Sequence, residues 1–227
     1  MTPGTPRPER RGEPLSREII VRAAVRLLDD AGESGLTFRT LAERLATGPG
    51  AIYWHISGKG ELLGAASEAV IAGAISAGSA GARPPEAVRT LALGVFDAID
   101  AHPWLGTQLA VNPLRPPMLR FFESIGRQVR ALGVAPSAEF TAASALLNYI
   151  LGVAGQNAAN ARAVSPTTKR AEFLATTSAA WAELDPDEYP FTRSAADRLR
   201  DHDDRAEFLA GLDLVLAGIT ARLAPPP

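Results

Sequence analysis

The chain has 227 residues, 46% hydrophobic and 21% charged, with a formal net charge of −2; it can bury a substantial core, and any basic surface for nucleic acid has to be local. It contains no cysteine, which excludes disulfides, thiolate zinc sites and a cysteine nucleophile. No run of about 18 apolar residues offers a membrane span, and the start, MTPGTPRPERRGEPL, lacks the apolar stretch of a signal peptide, so a cytoplasmic location is expected.

Residues 1–15 hold four prolines and three arginines and are predicted to form a flexible arm. Ser16 is placed to cap a helix in which Ile19, Ile20, Ala23, Ala24, Leu27 and Leu28 recur at helical spacing, and Gly32 suits its end. Thr37 caps a short predicted helix over 38–45. A break at Ala46-Thr47-Gly48 leads to a second short helix over 49–55, in which Ile52 and Ile56 read as core and Trp54 as a further core candidate. Ser57-Gly58 breaks the pattern before a helix over 59–76. A linker is read at 78–85, GSAGARPP. Beyond it the periodicity predicts helices over 86–101, 103–110, 117–132, 137–163, 168–184 and 204–223, with no strand alternation. The stretch 184–207 is acidic and turn-rich and reads as a solvated connector; its carboxylates lack the spacing of a calcium loop. The fold class is all-α.

Two short helices split by a Gly-containing turn form the helix-turn-helix pattern, in which the second helix enters the DNA major groove. Pro49 suits the first helical position, and Gly48 and Gly50 leave the backbone bare. Tyr53 and His55 offer polar tips, and Lys59 a charge for a phosphate. Residues 1–63 carry 9 Lys+Arg against 8 Asp+Glu, the remainder 14 against 17; the asymmetry has the sign DNA requires but is small.

The segment LTFRTLAERLATGPGAIYWHISGKGELL resembles the DNA-binding domain of the tetracycline-repressor (TetR) family of bacterial transcriptional regulators. The shared features are Leu36, Thr37, Arg39, Leu41 and Ala42, the Tyr53-x-His55 pair, and Lys59 followed by Leu62-Leu63. The resemblance implies a helix-turn-helix domain over 16–64 and a helical effector-binding and dimerisation domain over 65–227. It also implies that Thr37, Arg39, Tyr53, His55 and Lys59 face double-stranded DNA. Arg39 is suited to a bidentate contact with guanine, with Thr40 as a second polar reader, while Tyr53 and Lys59 suit phosphate. Gly48-Pro49-Gly50-Ala51 departs from the tetracycline repressors; Pro49 and Ala51 are expected to read thymine methyl groups.

In the second domain, wide apolar stripes on 137–163 and 204–223 suggest a homodimer seam using Leu147, Leu151, Leu212, Val215, Leu216 and Ile219. Phe96, Trp104, Gln108, Phe122, Asn148 and Tyr149 are candidates for a small-molecule effector pocket, Asn148 foremost because a buried amide needs a partner. Tetracycline repressors bind their drug with magnesium through a histidine; His102 does not align with it, so no metal or cofactor is expected. An enzyme is disfavoured: there is no nucleophile elbow and no Walker loop, and GPGAIY does not follow a strand. The expected function is a ligand-responsive repressor that binds a palindromic operator as a homodimer. The alternative is an activator or small-molecule-binding protein on the same fold.

Overall fold

The computed structural model describes residues 14–77, 82–111, 115–163 and 170–221. Most of the arm expected over 1–15, half of the linker expected over 78–85 and the end of the last helix lie outside them. Among the described residues the regular elements are eleven α-helices and no strand. They divide into two compact units, with the boundary between Ala66 and Ser67.

Unit 1 contains α1 (Arg17–Gly35), α2 (Phe38–Arg44), α3 (Pro49–Tyr53) and the first half of α4 (Lys59–Ala77). Each start is written in the sequence. The Ser16 hydroxyl accepts from the Ile19 amide at 3.3 Å, and Gly32, at φ 65°, breaks the α1 spiral where the sequence suggested it would end. Thr37 caps α2 in a reciprocal box with Thr40, satisfying donors that a helix start otherwise leaves open. The α2–α3 turn is closed by the Thr47 amide bonding to the Ala42 carbonyl at 3.0 Å. Its left-handed residue is Ala46, at φ 50°, and not Gly48, which sits at φ −86° as the α3 N-cap. Ile20, Ala24, Leu28, Leu36, Leu41, Ile52, Ile56 and Leu62 form the core.

Unit 2 takes the rest of α4 with α5 (Pro84–Ala101), α6 (Trp104–Val111), α7 (Pro116–Ala131), α8 (Pro136–Ala163), α9 (Arg170–Ala182), α10 (Pro190–Arg200) and α11 (Asp204–Ala221). The long α8 is the spine: α5, α6, α7 and α11 all pack on it, burying Leu146, Ile150, Ala154 and Ala158 along one stripe. Close approach is possible elsewhere because small residues face each other; Gly94 of α5 lies on the backbone of Ala74 in α4. Asp203 caps α11, accepting from the amides of Arg205 and Ala206, each at 2.9 Å.

The connector expected over 184–207 holds a helix, α10, which packs on α9. It buries only Ala196 fully and so shows no apolar stripe. Polar bonds fix its entry instead: Asp185 accepts from the Asp187 amide at 2.8 Å, and Arg193 donates to the Leu184 carbonyl.

An alanine in the left-handed region costs about 1–2 kcal/mol relative to glycine. Ala46→Gly is therefore expected to raise unfolding stability by about 1 kcal/mol, net of the glycine's extra unfolded-state entropy. Urea denaturation of the two proteins checks this.

Candidate nucleic-acid interface and effector region

The α2–α3 face is held together by an aromatic stack, a helix cap and bonds to the neighbouring helices. Phe38 and Tyr53 stack with centroids 4.3 Å apart and planes at 8°, so the start of α2 and the end of α3 are held together while Tyr53 stays half exposed. Arg17 of α1 donates to the His55 carbonyl at 2.9 Å and pairs with Glu61 at 2.6 Å. The other Glu61 oxygen accepts from the Ser57 amide at 2.8 Å and its hydroxyl at 2.7 Å. These Ser57 bonds, with Arg17 beside them, hold the Glu61 carboxyl down to about 2. One carboxylate thus ties the ends of α1 and α3 to the first turn of α4. The sequence carried a signal for this tie, a serine four residues before a glutamate at a helix start, that went unread.

The residues expected at DNA fall into three groups. Arg39 is exposed, engaged only with Glu43 at 3.1 Å one turn along, an exposed pair of a kind worth about 0.3–0.5 kcal/mol. Thr37, Pro49 and His55 are exposed and Ala51 half-buried. A Cβ added at Gly48 or Gly50 would meet nothing within 4 Å, so nothing inside the unit requires a glycine at either position. Three residues are engaged internally, the first being Thr37, whose hydroxyl accepts from the Thr40 amide at 3.0 Å. The Thr40 hydroxyl is committed to the cap, 3.0 Å from the carbonyls of Gly35 and Thr37, and does not stand free as a second polar reader. Lys59 donates to the Glu33 carbonyl at 2.6 Å. Trp54, a core candidate by sequence, is 90% exposed; α3 turns its Ile52 side inward and carries the indole outward.

Among the described residues, the six expected pocket residues of unit 2 have different surroundings. Trp104 is buried core, and Gln108 is buried and accepts from Arg115 at 3.0 Å. Phe122 packs edge-on against Phe140 at 6.1 Å. Asn148 is on the exposed side of α8, so the buried-amide reason for choosing it does not hold. Phe96 and Tyr149 come together through a third ring: both stack on Phe208, at 4.6 and 5.7 Å, and the Tyr149 hydroxyl donates to the Phe208 carbonyl at 2.8 Å. Tyr149 and Phe208 also line a pocket of about 400 Å3 with Asn157, Asn160, His202 and Glu207. Of its α11 wall, Asp204 and Glu207 fall where the expected connector and the expected last helix overlap, and Phe208 lies in that helix.

Of the expected dimer residues, Leu212 and Leu216 lie in their own unit's core and have no surface to lend a partner. Leu147, Leu151, Val215 and Ile219 are half-buried. The outward residue of that part of α11 is Leu214, 76% exposed. Between α8 and α11 runs an apolar groove of about 390 Å3 lined by Ala138, Thr141, Ala145, Val215 and Gly218.

Comparison with known proteins decides what this pair of units is. Residues 20–66 match the family described as bacterial regulatory proteins, tetR family, and residues 84–223 match the tetracyclin repressor-like C-terminal domain. The chain belongs to the TetR family of transcriptional regulators. The transcriptional regulator SCO7222, a TetR from Streptomyces coelicolor, is 61% identical, with 92% of this chain and 99% of that chain aligned at a TM-score of 0.84. An HTH-type transcriptional regulator of Saccharopolyspora erythraea is 31% identical over 150 residues, 64% of each protein. The class C tetracycline repressor protein of Escherichia coli is 49% identical over 57 residues, 25% of this chain and 26% of its own length. The chain thus spans less than two thirds of these two curated relatives. Family members of this kind are DNA-binding regulators, typically repressors, with a ligand-binding C-terminal domain. No helix among the described residues is long and apolar enough to cross a membrane.

Two outcomes follow for this TetR protein. Because the Glu61 carboxyl is held at about 2 against an ordinary 4.5, its contribution is complete above pH 4.5 and is lost as pH falls toward 2. Glu61→Ala is expected to lower Tm at pH 7, and the gap to wild type should narrow through that window in a pH series of thermal melts. In unit 2, a Cβ at Gly211 would overlap the Tyr149 hydroxyl. Gly211→Ala should displace that hydroxyl from the Phe208 carbonyl and cost about 1–3 kcal/mol, read by urea unfolding.

Proposed function

We propose that this protein is a repressor that binds a palindromic operator as a homodimer and is released by a small-molecule effector bound in unit 2. The observation that carries the DNA half is the α2–α3 face, which leaves Arg39, Pro49, Tyr53 and His55 exposed, within a segment that matches the family's DNA-binding domain. Arg39 reads guanine, since the exposed Glu43 pair is weak enough to exchange for a bidentate base contact. Pro49 and Ala51 face thymine methyl groups, and the bare backbone at Gly48 and Gly50 lets α3 sit close. Thr37, Tyr53, His55 and Lys59 hold phosphates. For Lys59 the phosphate replaces the Glu33 carbonyl, a neutral partner exchanged for a charged one. Thr40 acts through the cap by fixing where α2 begins.

The dimer forms through α8 and α11, where Leu214 and the Ala/Gly-lined groove present an apolar surface that no described residue covers. Two copies place their α3 helices about one DNA turn apart, which a palindrome matches. An effector in unit 2 acts through α4, which contributes residues to both units, and DNA weakens effector binding by the factor by which effector weakens DNA binding.

Selection of operator DNA from a genomic fragment library tests the reading, and a palindrome bound with steep salt dependence is the expected result. Against that operator, Arg39→Ala should lose about 1–3 kcal/mol and relax preference at one base pair, while Lys59→Ala should weaken all sequences alike and reduce the salt slope by about 1. Unchanged base preference in an Ala51 variant would remove the methyl-reading role. Leu214→Arg should sediment as a monomer and lose operator affinity; a dimer of normal affinity would place the seam elsewhere.

A further inference from the structure

The pocket of about 400 Å3 beside Tyr149 carries a combination of groups that the core does not need. Helix α8 is built mostly of small and apolar residues until Gln156, Asn157 and Asn160 place three carboxamides in its last two turns, all on the pocket wall. Among the described residues the side chains of Asn157 and Glu207 have no hydrogen-bond or ion-pair partner. The floor is Tyr149, whose ring is backed by the buried Phe208.

The charge balance gives the pocket a sign. Arg170 pairs with one oxygen of Asp204 at 2.6 Å, and His202 lies 3.1 Å from the other. Asp204 is therefore saturated and Arg170 neutralised. Glu207, one turn further along α11 on the same wall, keeps an unbalanced negative charge. Its field acts with burial to hold the Tyr149 phenol in its neutral form, burial being the larger cause. An anionic ligand meets repulsion here, whereas a cation finds an open carboxylate.

We infer that this pocket takes a flat aromatic ligand bearing an amine, its ring on Tyr149, its amine at Glu207, and its polar substituents at Asn157 and Asn160. The inference rests on the ligand-responsive reading above and names the chemical class of that effector. The volume lies at the lower end of the range for drug-sized ligands, and aromatic contact with a paired charge supplies both affinity and orientation.

Two probes with the same ring and opposite charge test it by calorimetric titration of the full chain: 2-naphthylmethylamine, a cation at pH 7, and 2-naphthylacetate, an anion. One saturable cation per chain is expected, bound at least tenfold more tightly than the anion. The double variant Asn157→Ala with Glu207→Gln should lose that preference with Tm unchanged, since neither side chain is buried. Equal affinity for the two probes, or a double variant that binds the cation as wild type does, overturns the inference. The titration contains no DNA, so that outcome removes this pocket and leaves operator binding and release untouched. Repeating the titration with operator present separates the other failure: a cation that binds the free protein but leaves DNA affinity unchanged keeps the site and removes its role in release.

Discussion

Helix α3 has five residues and no stability of its own, since isolated helices below about 12 residues are marginal in water. Everything proposed for the DNA face depends on holding it in place from outside. Ile52 and Ile56 are buried in the core that also takes Leu41 and Leu62, each side chain contributing about 1.5–3 kcal/mol by burial. The Phe38–Tyr53 stack and the Arg17 bond to the His55 carbonyl then fix its C-terminal end. Because the inner side does this work, the outer side is free of structural duty. That explains why Pro49, Gly50 and an almost fully exposed Trp54 sit on a helix that would otherwise need its surface for support.

Unit 2 solves a different problem, joining long helices without a sheet. Exposed ion pairs link α11 to its neighbours, Arg89 with Asp213 at 2.6 Å and Arg205 with Asp97 at 3.2 Å, but each such pair contributes at most about 1 kcal/mol. The stronger tie is aromatic. Phe96 on α5, Phe208 on α11 and Tyr149 on α8 stack in sequence, and Gly211 is the small residue that lets the Tyr149 hydroxyl pass over α11 to the Phe208 carbonyl. Three helices are registered by one column of rings, and the column ends at the wall of the pocket.

The helical architecture was legible because its starts are chemically marked. Ser16 and Thr37 cap, and Pro49 stands at a first-turn position. Helix α10 escaped because periodicity registers burial, and α10 buries only Ala196 fully while packing one face against α9. The exposure of Trp54 and Asn148 escaped for a related reason. Within a helix each residue turns by about 100°, so one position separates a core side chain from an exposed one, and residue type alone placed both on the wrong side. At Leu212 and Leu216 the apolar stripe correctly marked burial without saying against what; the protomer's own core claimed both. Thr40 shows the converse: a polar residue on a DNA-facing helix can be fully occupied in making the helix begin.

These constraints bear on how a ligand could matter to DNA. A coupling of about 1–3 kcal/mol suffices for regulation, comparable to a single aromatic contact and larger than any exposed ion pair here. A ligand at Glu207 would sit one residue from Phe208, the ring to which α5 and α8 are both tied. Occupation of the pocket would therefore act on the column that registers three helices, whereas a ligand in the cavity beside Asp97 and Arg205 would act on surface charges worth little individually. Between the two, the pocket beside Tyr149 is where a small binding energy would have the most structure to move.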